Sequence, residues 1–178
     1  MDKWTVVIAS DIHGSTDALD RVISVAARLG AWRLVVSGDL CPDSQDIAVS
    51  LLNAPCGFVC VRGNCDNVWD YAGLGLPVPR EAVLLTLPDG SRMGICHGHT
   101  IMDAADFPHA LGSGDIFVQG HSHVPHLFRD RSGIIHLNAG SASRPRNEEG
   151  ASCAIVTESG ADILRLADNR LLLHLDRI

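Results

Sequence analysis

The chain has 178 residues, 46% of them hydrophobic, with a formal net charge of −7 and a pI near 5.6. That composition excludes disorder and predicts one domain, 1–178, burying roughly two-thirds of its unfolded surface. The acidic balance excludes a nucleic-acid backbone binder, which needs a basic face, but not a phosphate substrate, because bound cations reverse local charge. No basic stretch followed by an apolar one opens the sequence, and no apolar run approaches about 18 residues, so a soluble cytoplasmic protein without signal peptide or membrane span is expected. Aromatics are only 4%, so the core must be aliphatic. The six cysteines form no Cys-x-x-Cys pair and read as reduced thiols.

The first element is an apolar run, Trp4 to Ala9, that stops at Ser10-Asp11-Ile12-His13-Gly14. It reads as a buried strand with Asp11 and His13 in the turn at its carboxyl end, where open α/β sheets place ligands. Asp-x-His offers a hard oxygen and a borderline nitrogen to one point, which suits a divalent metal. From Ser15 to Leu29 the spacing of Leu19, Val22, Ile23, Ala26 and Ala27 predicts a helix, capped by Ser15 or Thr16 and ended by Gly30. Arg33 to Ser37 is a second strand ending in Gly38-Asp39; a helical pattern covers Ile47 to Leu52; Phe58 to Val61 is a third strand ending in Arg62-Gly63-Asn64-Cys65-Asp66. Helical connections of this kind suit parallel strands with right-handed crossovers.

Residues 67–80, with two glycines and two prolines, read as a loop. Val83 to Leu87 and Arg92 to Cys96 flank Asp89-Gly90 as a β-hairpin whose second arm runs into His97-Gly98-His99. A weak helix is predicted over Met102 to Leu111. Asp115 to Val118 is a strand ending in Gly120-His121-Ser122-His123. Short strands follow at 126–128, 134–137, 151–157, 162–166 and 171–175, so the second part reads as mostly antiparallel. Two sheets packed face to face with helices outside is the natural arrangement.

Five strand ends therefore carry Asp11 with His13, Asp39, Asn64 with Asp66, His97 with His99, and His121 with His123. Seven of these nine, Asp11, His13, Asp39, Asn64, His97, His121 and His123, are candidate ligands, too many for one tetrahedral site, and Asp39, the lone acid at its strand end, is the best bridge between two cations. Ser141 lies in Gly-Ser-Ala-Ser, without the Gly-x-Ser-x-Gly elbow of a serine hydrolase. His109, His126, His136 and His174 read as structural or surface groups. Arg62, Arg144 and Arg146 are nearby cations, each read first as a solvated charge and second as a contact to non-bridging phosphate oxygens.

The ordered series Asp-x-His, Gly-Asp, Gly-Asn-x-Asp, His-Gly and Gly-His-x-His resembles the calcineurin-like metallophosphoesterase family, from Asp11 to the Asn138-Ala139-Gly140-Ser141 stretch. The short length and Gly-Asn-Cys-Asp are similar to its small YfcE-type phosphodiesterases. The resemblance implies an α/β fold, a two-sheet β-sandwich flanked by helices in four layers, αββα. It implies Asp11, His13, Asp39 and His123 on one metal and Asp39, Asn64, His97 and His121 on another. Manganese is the common ion, with iron, zinc, nickel or cobalt as alternatives. The implied reaction is hydrolysis of small phosphodiesters or monoesters by in-line attack of a metal-bridging hydroxide, in a chain that binds neither membrane nor nucleic-acid backbone and is compatible with a homo-oligomer. Asp39, Asn64, Cys65, Asp66 and His99 are the candidate catalytic residues. Cys65 departs from the wider family, in which a histidine follows the Gly-Asn pair. The alternative is a protein-binding scaffold with the same fold, like the retromer subunit that resembles this family but has substitutions among the ligands. A metallo-β-lactamase-type hydrolase would need His-x-His-x-Asp-His, which is absent.

Overall fold

The computed structural model describes residues 3–177. The first strand, β1 (Thr5–Ala9), pairs in parallel with β2 (Arg33–Val36), and β2 with β3 (Gly57–Cys60). α1 (Thr16–Leu29) and α2 (Gln45–Leu52) make the two crossovers. Ser15 caps α1 by accepting from the Ala18 N–H, and Gly30 ends it in the left-handed region at φ 59°, as the capping signals require.

The predicted loop over 67–80 contains a short helix, α3 (Val68–Gly73). Asn67 caps it through the Trp69 N–H, and the buried Tyr71 anchors it. Six residues are too few to show a helical period, so the glycines and prolines dominate the pattern. The helix predicted over Met102 to Leu111 is reduced to a single 3-10 turn, Ala104–Asp106. Phe107 is extended because it precedes Pro108, which disfavours a helical conformation there.

After the hairpin of β4 (Ala82–Thr86) and β5 (Arg92–Cys96) come β6 (Ile116–Gln119), β7 (His126–Arg129) and β8 (Ile135–Asn138). They form a five-stranded sheet in the order β4-β5-β6-β8-β7. Its inner pairs, β5–β6 and β6–β8, are parallel, the exceptions in a half that is otherwise antiparallel, as its sequence reads. The final strands, β9 (Ser152–Thr157), β10 (Gly160–Arg165) and β11 (Leu171–Asp176), return to the first sheet. There β9 lies antiparallel to β1, giving the order β11-β10-β9-β1-β2-β3.

Strand alternation sorts β1 between two cores. Val6 and Ile8 face the second sheet and pack with Val35, Met93, Ile95, Val118 and Leu137. Val7 and Ala9 face α1 and α2 and pack with Leu19, Val22, Leu34, Ile47 and Leu51. The outer face of the second sheet is covered by Phe107 and Ala104 against Phe117. Because β1, β2, β3, β5 and β6 end on one side, their carboxyl-end turns meet there.

Candidate metal centre

The turns are held together by backbone contacts before any side chain acts. The Asp11 N–H donates to Gly38 O at 3.1 Å and the His13 N–H to Asp39 O at 2.9 Å. The Gly120 N–H donates to His97 O at 2.9 Å. Such close approach excludes side chains: a Cβ on Gly63 would strike the Asp39 carboxylate and backbone nitrogen, and one on Gly38 would strike the His97 ring. Asp11, His13, Asp39, Cys41, His121 and His123 all have positive φ, between 47° and 66°. Among the described residues only Asn169 adds another non-glycine, so nearly all of this strain is concentrated at one place, as at functional sites.

The side chains converge accordingly. Asp11 Oδ1 lies 3.1 Å from His123 Nε2, 3.8 Å from His13 Nε2 and 4.0 Å from His97 Nε2. Asp39 Oδ2 lies 3.4 Å from His97 Nε2 and 3.8 Å from His13 Nε2. Three groups have ligand atoms mutually within 4.8 Å: Asp11–His13–His123, Asp11–Asp39–His97 and His13–Asp39–Cys65. The third group is not legible in the sequence, where Cys65 reads only as a candidate catalytic residue in the place of the wider family's histidine. Asn64 and His121 line the same cavity of about 340 Å³, with His13, Asp39, Cys65, His123, Arg144 and Arg146. The His121 ring centroid is 5.3 Å from that of His97.

The surroundings orient these groups. His97 Nδ1 donates to Ser37 O at 2.8 Å, and His123 Nδ1 donates to Arg144 O at 2.7 Å. A carbonyl only accepts, so both rings carry their proton on Nδ1 when neutral and leave the Nε2 lone pair for the centre. The Cys65 N–H donates to Asp39 Oδ1 at 2.8 Å, and the His121 N–H to Asp11 Oδ2 at 3.1 Å. Burial pushes the Asp39 carboxyl up, but the His97 ring close by and the bond from the Cys65 N–H outweigh it and hold the group below its ordinary range. Burial pushes His97 down, but the Asp39 carboxylate close by and the bond to Ser37 O leave it raised. Burial pushes His13 down, and pushes the Cys41 thiol, 3.8 Å from His13 Nδ1, up to about 12. Asp11 Oδ1 and His97 Nε2 are buried with no hydrogen-bond partner. Orphaned acceptors beside carboxylates and histidines of this kind fit divalent cations.

Other predicted site residues lie apart from this cluster. Asp66 is turned into the scaffold, accepting from the N–H groups of Asp39, Cys41 and Gly63 at 2.7–2.9 Å and from the Tyr71 hydroxyl at 3.0 Å. Tyr71, the only tyrosine in the chain, was missed because a lone aromatic in a Gly/Pro-rich stretch carries no signal. His99 stands beside the cluster, 5.4 Å from the His97 ring and 6.3 Å from that of His121. Burial, with His97 and His121 nearby, lowers its pKa. Arg62 pairs with Glu81, whereas Arg144 and Arg146 line the cavity.

A calcineurin-like phosphoesterase superfamily domain matches residues 5–161. The chain belongs to the calcineurin-like phosphoesterase superfamily. It is 32% identical to phosphodiesterase YfcE of Escherichia coli strain K12 over 94% of this chain and 95% of that protein. The solved structure of that E. coli phosphoesterase superposes with a TM-score of 0.83 at 28% identity, covering 98% of this chain and 100% of the other. Vacuolar protein sorting 29 of Cryptosporidium parvum shares the fold alone, with a TM-score of 0.68 at 18% identity, covering 99% and 98%. Family membership and the near full-length relationship to a phosphodiesterase make this chain a hydrolase acting on ester bonds. No helix among the described residues is long and apolar enough to cross a membrane.

Proposed function

We propose that the chain, acting as one domain, is a cytoplasmic dinuclear metal-dependent phosphoesterase that hydrolyses small phosphodiesters, with monoesters accepted by the same centre. The observation that carries the reading is the convergence of Asp11, His13, Asp39, His97 and His123 around two buried acceptors that no protein donor meets. Asp11, His13, Asp39 and His123 would hold one ion; Asp39, Asn64, His97 and His121 would hold the other. Manganese is the first candidate, and the mixed carboxylate, amide and imidazole donors suit it. Bound divalent ions would lower the pKa of water to about 7 and offset charge on the phosphoryl oxygens.

The chain's own residues supply orientation. The Ser37 and Arg144 carbonyls fix the tautomers of His97 and His123. The Cys65 and His121 N–H groups hold one oxygen of Asp39 and of Asp11, leaving Oδ2 and Oδ1 respectively to face the histidines. Burial raises the Cys65 thiol, which makes it a poor donor at neutral pH, so His99 is the candidate to protonate a departing alkoxide.

A metal-reconstituted screen of phosphodiesters against phosphomonoesters tests the reading. Diester hydrolysis that is lost on chelation and restored by manganese is the expected result. A pure, metal-loaded wild type that hydrolyses neither class overturns it, and a stable partner captured by that inert protein favours the scaffold.

A further inference from the structure

The loop after β8 is braced onto the metal-ligand turns. Ser141 Oγ and Ser143 Oγ both donate to Asp11 O, at 2.8 and 3.0 Å. The Arg144 N–H donates to Ser141 Oγ at 2.8 Å, and the Arg146 N–H to His123 O at 3.2 Å. Four contacts thus tie the backbone of 141–146 to Asp11 and His123 or to one another, while the arginine side chains contribute to none of them. Arg144 and Arg146 both line the cavity, and the Arg144 charge is felt by His13, which lines it too, and by Cys41. Arg21, Arg62, Arg92, Arg165, Arg170 and Arg177 each meet a carboxylate. Among the described residues, Arg144 and Arg146 meet none.

Resting on the phosphoesterase reading, we propose that Arg144 and Arg146 form a clamp for a second anionic group of the substrate, so that the preferred class is phosphate esters carrying a further phosphate or carboxylate. Charge balance supports this. The carboxylates of Asp11 and Asp39 would offset one divalent ion of two, and the hydroxide nucleophile with a phosphodiester monoanion would offset the other. Two added guanidiniums leave a surplus that a singly charged ester does not match, and planar guanidinium forks suit phosphate and carboxylate oxygens. Both arginines line the cavity together with His13 and His123, and His99 is not among the residues that line it.

The test uses two aryl phosphodiesters that differ only in a terminal phosphomonoester on the retained side, with wild type, Arg144→Ala, Arg146→Ala, the double variant and Arg→Lys versions. Because none of the bracing bonds uses an arginine side chain, the alanine variants keep them. Wild type should favour the doubly anionic ester in KM, and each alanine should cost about tenfold of that preference, the scale of a charge-assisted bond. Lysine should restore part of it. An equal rise in KM for both esters, or none, overturns the proposal. Binding is read separately by arginine Nε–H NMR of the zinc-loaded protein titrated with inorganic phosphate. Arg144 and Arg146 signals should shift while Arg62 stays still; failure to shift overturns the clamp even in an active enzyme. If the wild type is inert toward both esters, the phosphoesterase reading fails, and this titration still decides the clamp.

Discussion

Asp66 offers the sharpest separation between a scaffold carboxylate and a reacting one. It accepts from three backbone N–H groups and one buried hydroxyl, and two of those amides belong to Asp39 and Gly63, which shape the bridge. Leaving partly buried donors unmet costs about 1–3 kcal/mol each, and costs within one network do not add in full. Asp66→Ala should therefore destabilise the metal-free chain by about 4 kcal/mol, which for a chain of this size lowers Tm by about 8–16 °C. Asp66→Asn, which keeps one acceptor oxygen but points an amide at the donors, should lose about half as much by the same reckoning. The assay is urea unfolding followed by circular dichroism, with the exposed Asp17→Ala as the control, changing stability by about 0.5 kcal/mol or less. Manganese affinity should fall about 10- to 100-fold in the Asp66 variants, as for a group that orients ligands from behind. Wild-type stability in Asp66→Ala together with lost activity would refute the reasoning and place Asp66 among the reacting groups.

Other outcomes follow from the same geometry. Elemental analysis of manganese-saturated protein should find close to two ions per chain, and a clear value of one would sink the dinuclear reading. Asp39→Asn and His97→Ala should abolish activity while retaining the native circular dichroism spectrum, since neither side chain belongs to a hydrophobic core cluster; full activity in either variant would remove it from the centre. Phosphodiesters graded by leaving-group pKa should turn over faster with acidic aryl leaving groups, more steeply in His99→Ala and less so in Cys65→His, because a thiol raised by burial is a poorer acid at neutral pH than an imidazolium; a flat series unchanged in His99→Ala contradicts the assignment. Burial raises the Asp115 carboxyl, but its bonds with Arg92 and with the Gly112 N–H leave it below its ordinary 3.8. A depressed folded pKa adds stability that is present above the unfolded value and lost as pH falls through the folded one. Asp115→Asn should thus be less stable than wild type at pH 7, with the gap closing below about pH 4; a gap independent of pH would be the wrong sign of evidence.

Much of the centre was legible along the chain because each ligand turn is local. An apolar strand followed at once by Asp11 and His13, or by His121 and His123, carries both its position and its donor atoms within a few residues. The helices at 16–29 and 45–52 were readable for the same reason: period and caps are properties of adjacent residues. Tertiary structure alone decided the rest. Whether β5, β6 and β8 run parallel, and whether β9 returns to β1, depends on pairing between residues far apart in sequence, and alternation within a strand is the same for either direction. That pairing sets which strand ends share a side of the molecule, and so which of the nine histidines meet. It turns Asp66 inward to backbone amides, brings the Cys65 thiol within 4.8 Å of ligand atoms of His13 and Asp39, and carries Arg144 and Arg146 to the cavity while Arg62 finds Glu81. A charge reads the same in a sequence whether it is solvated, paired or aimed; only the approach of distant turns distinguishes the three.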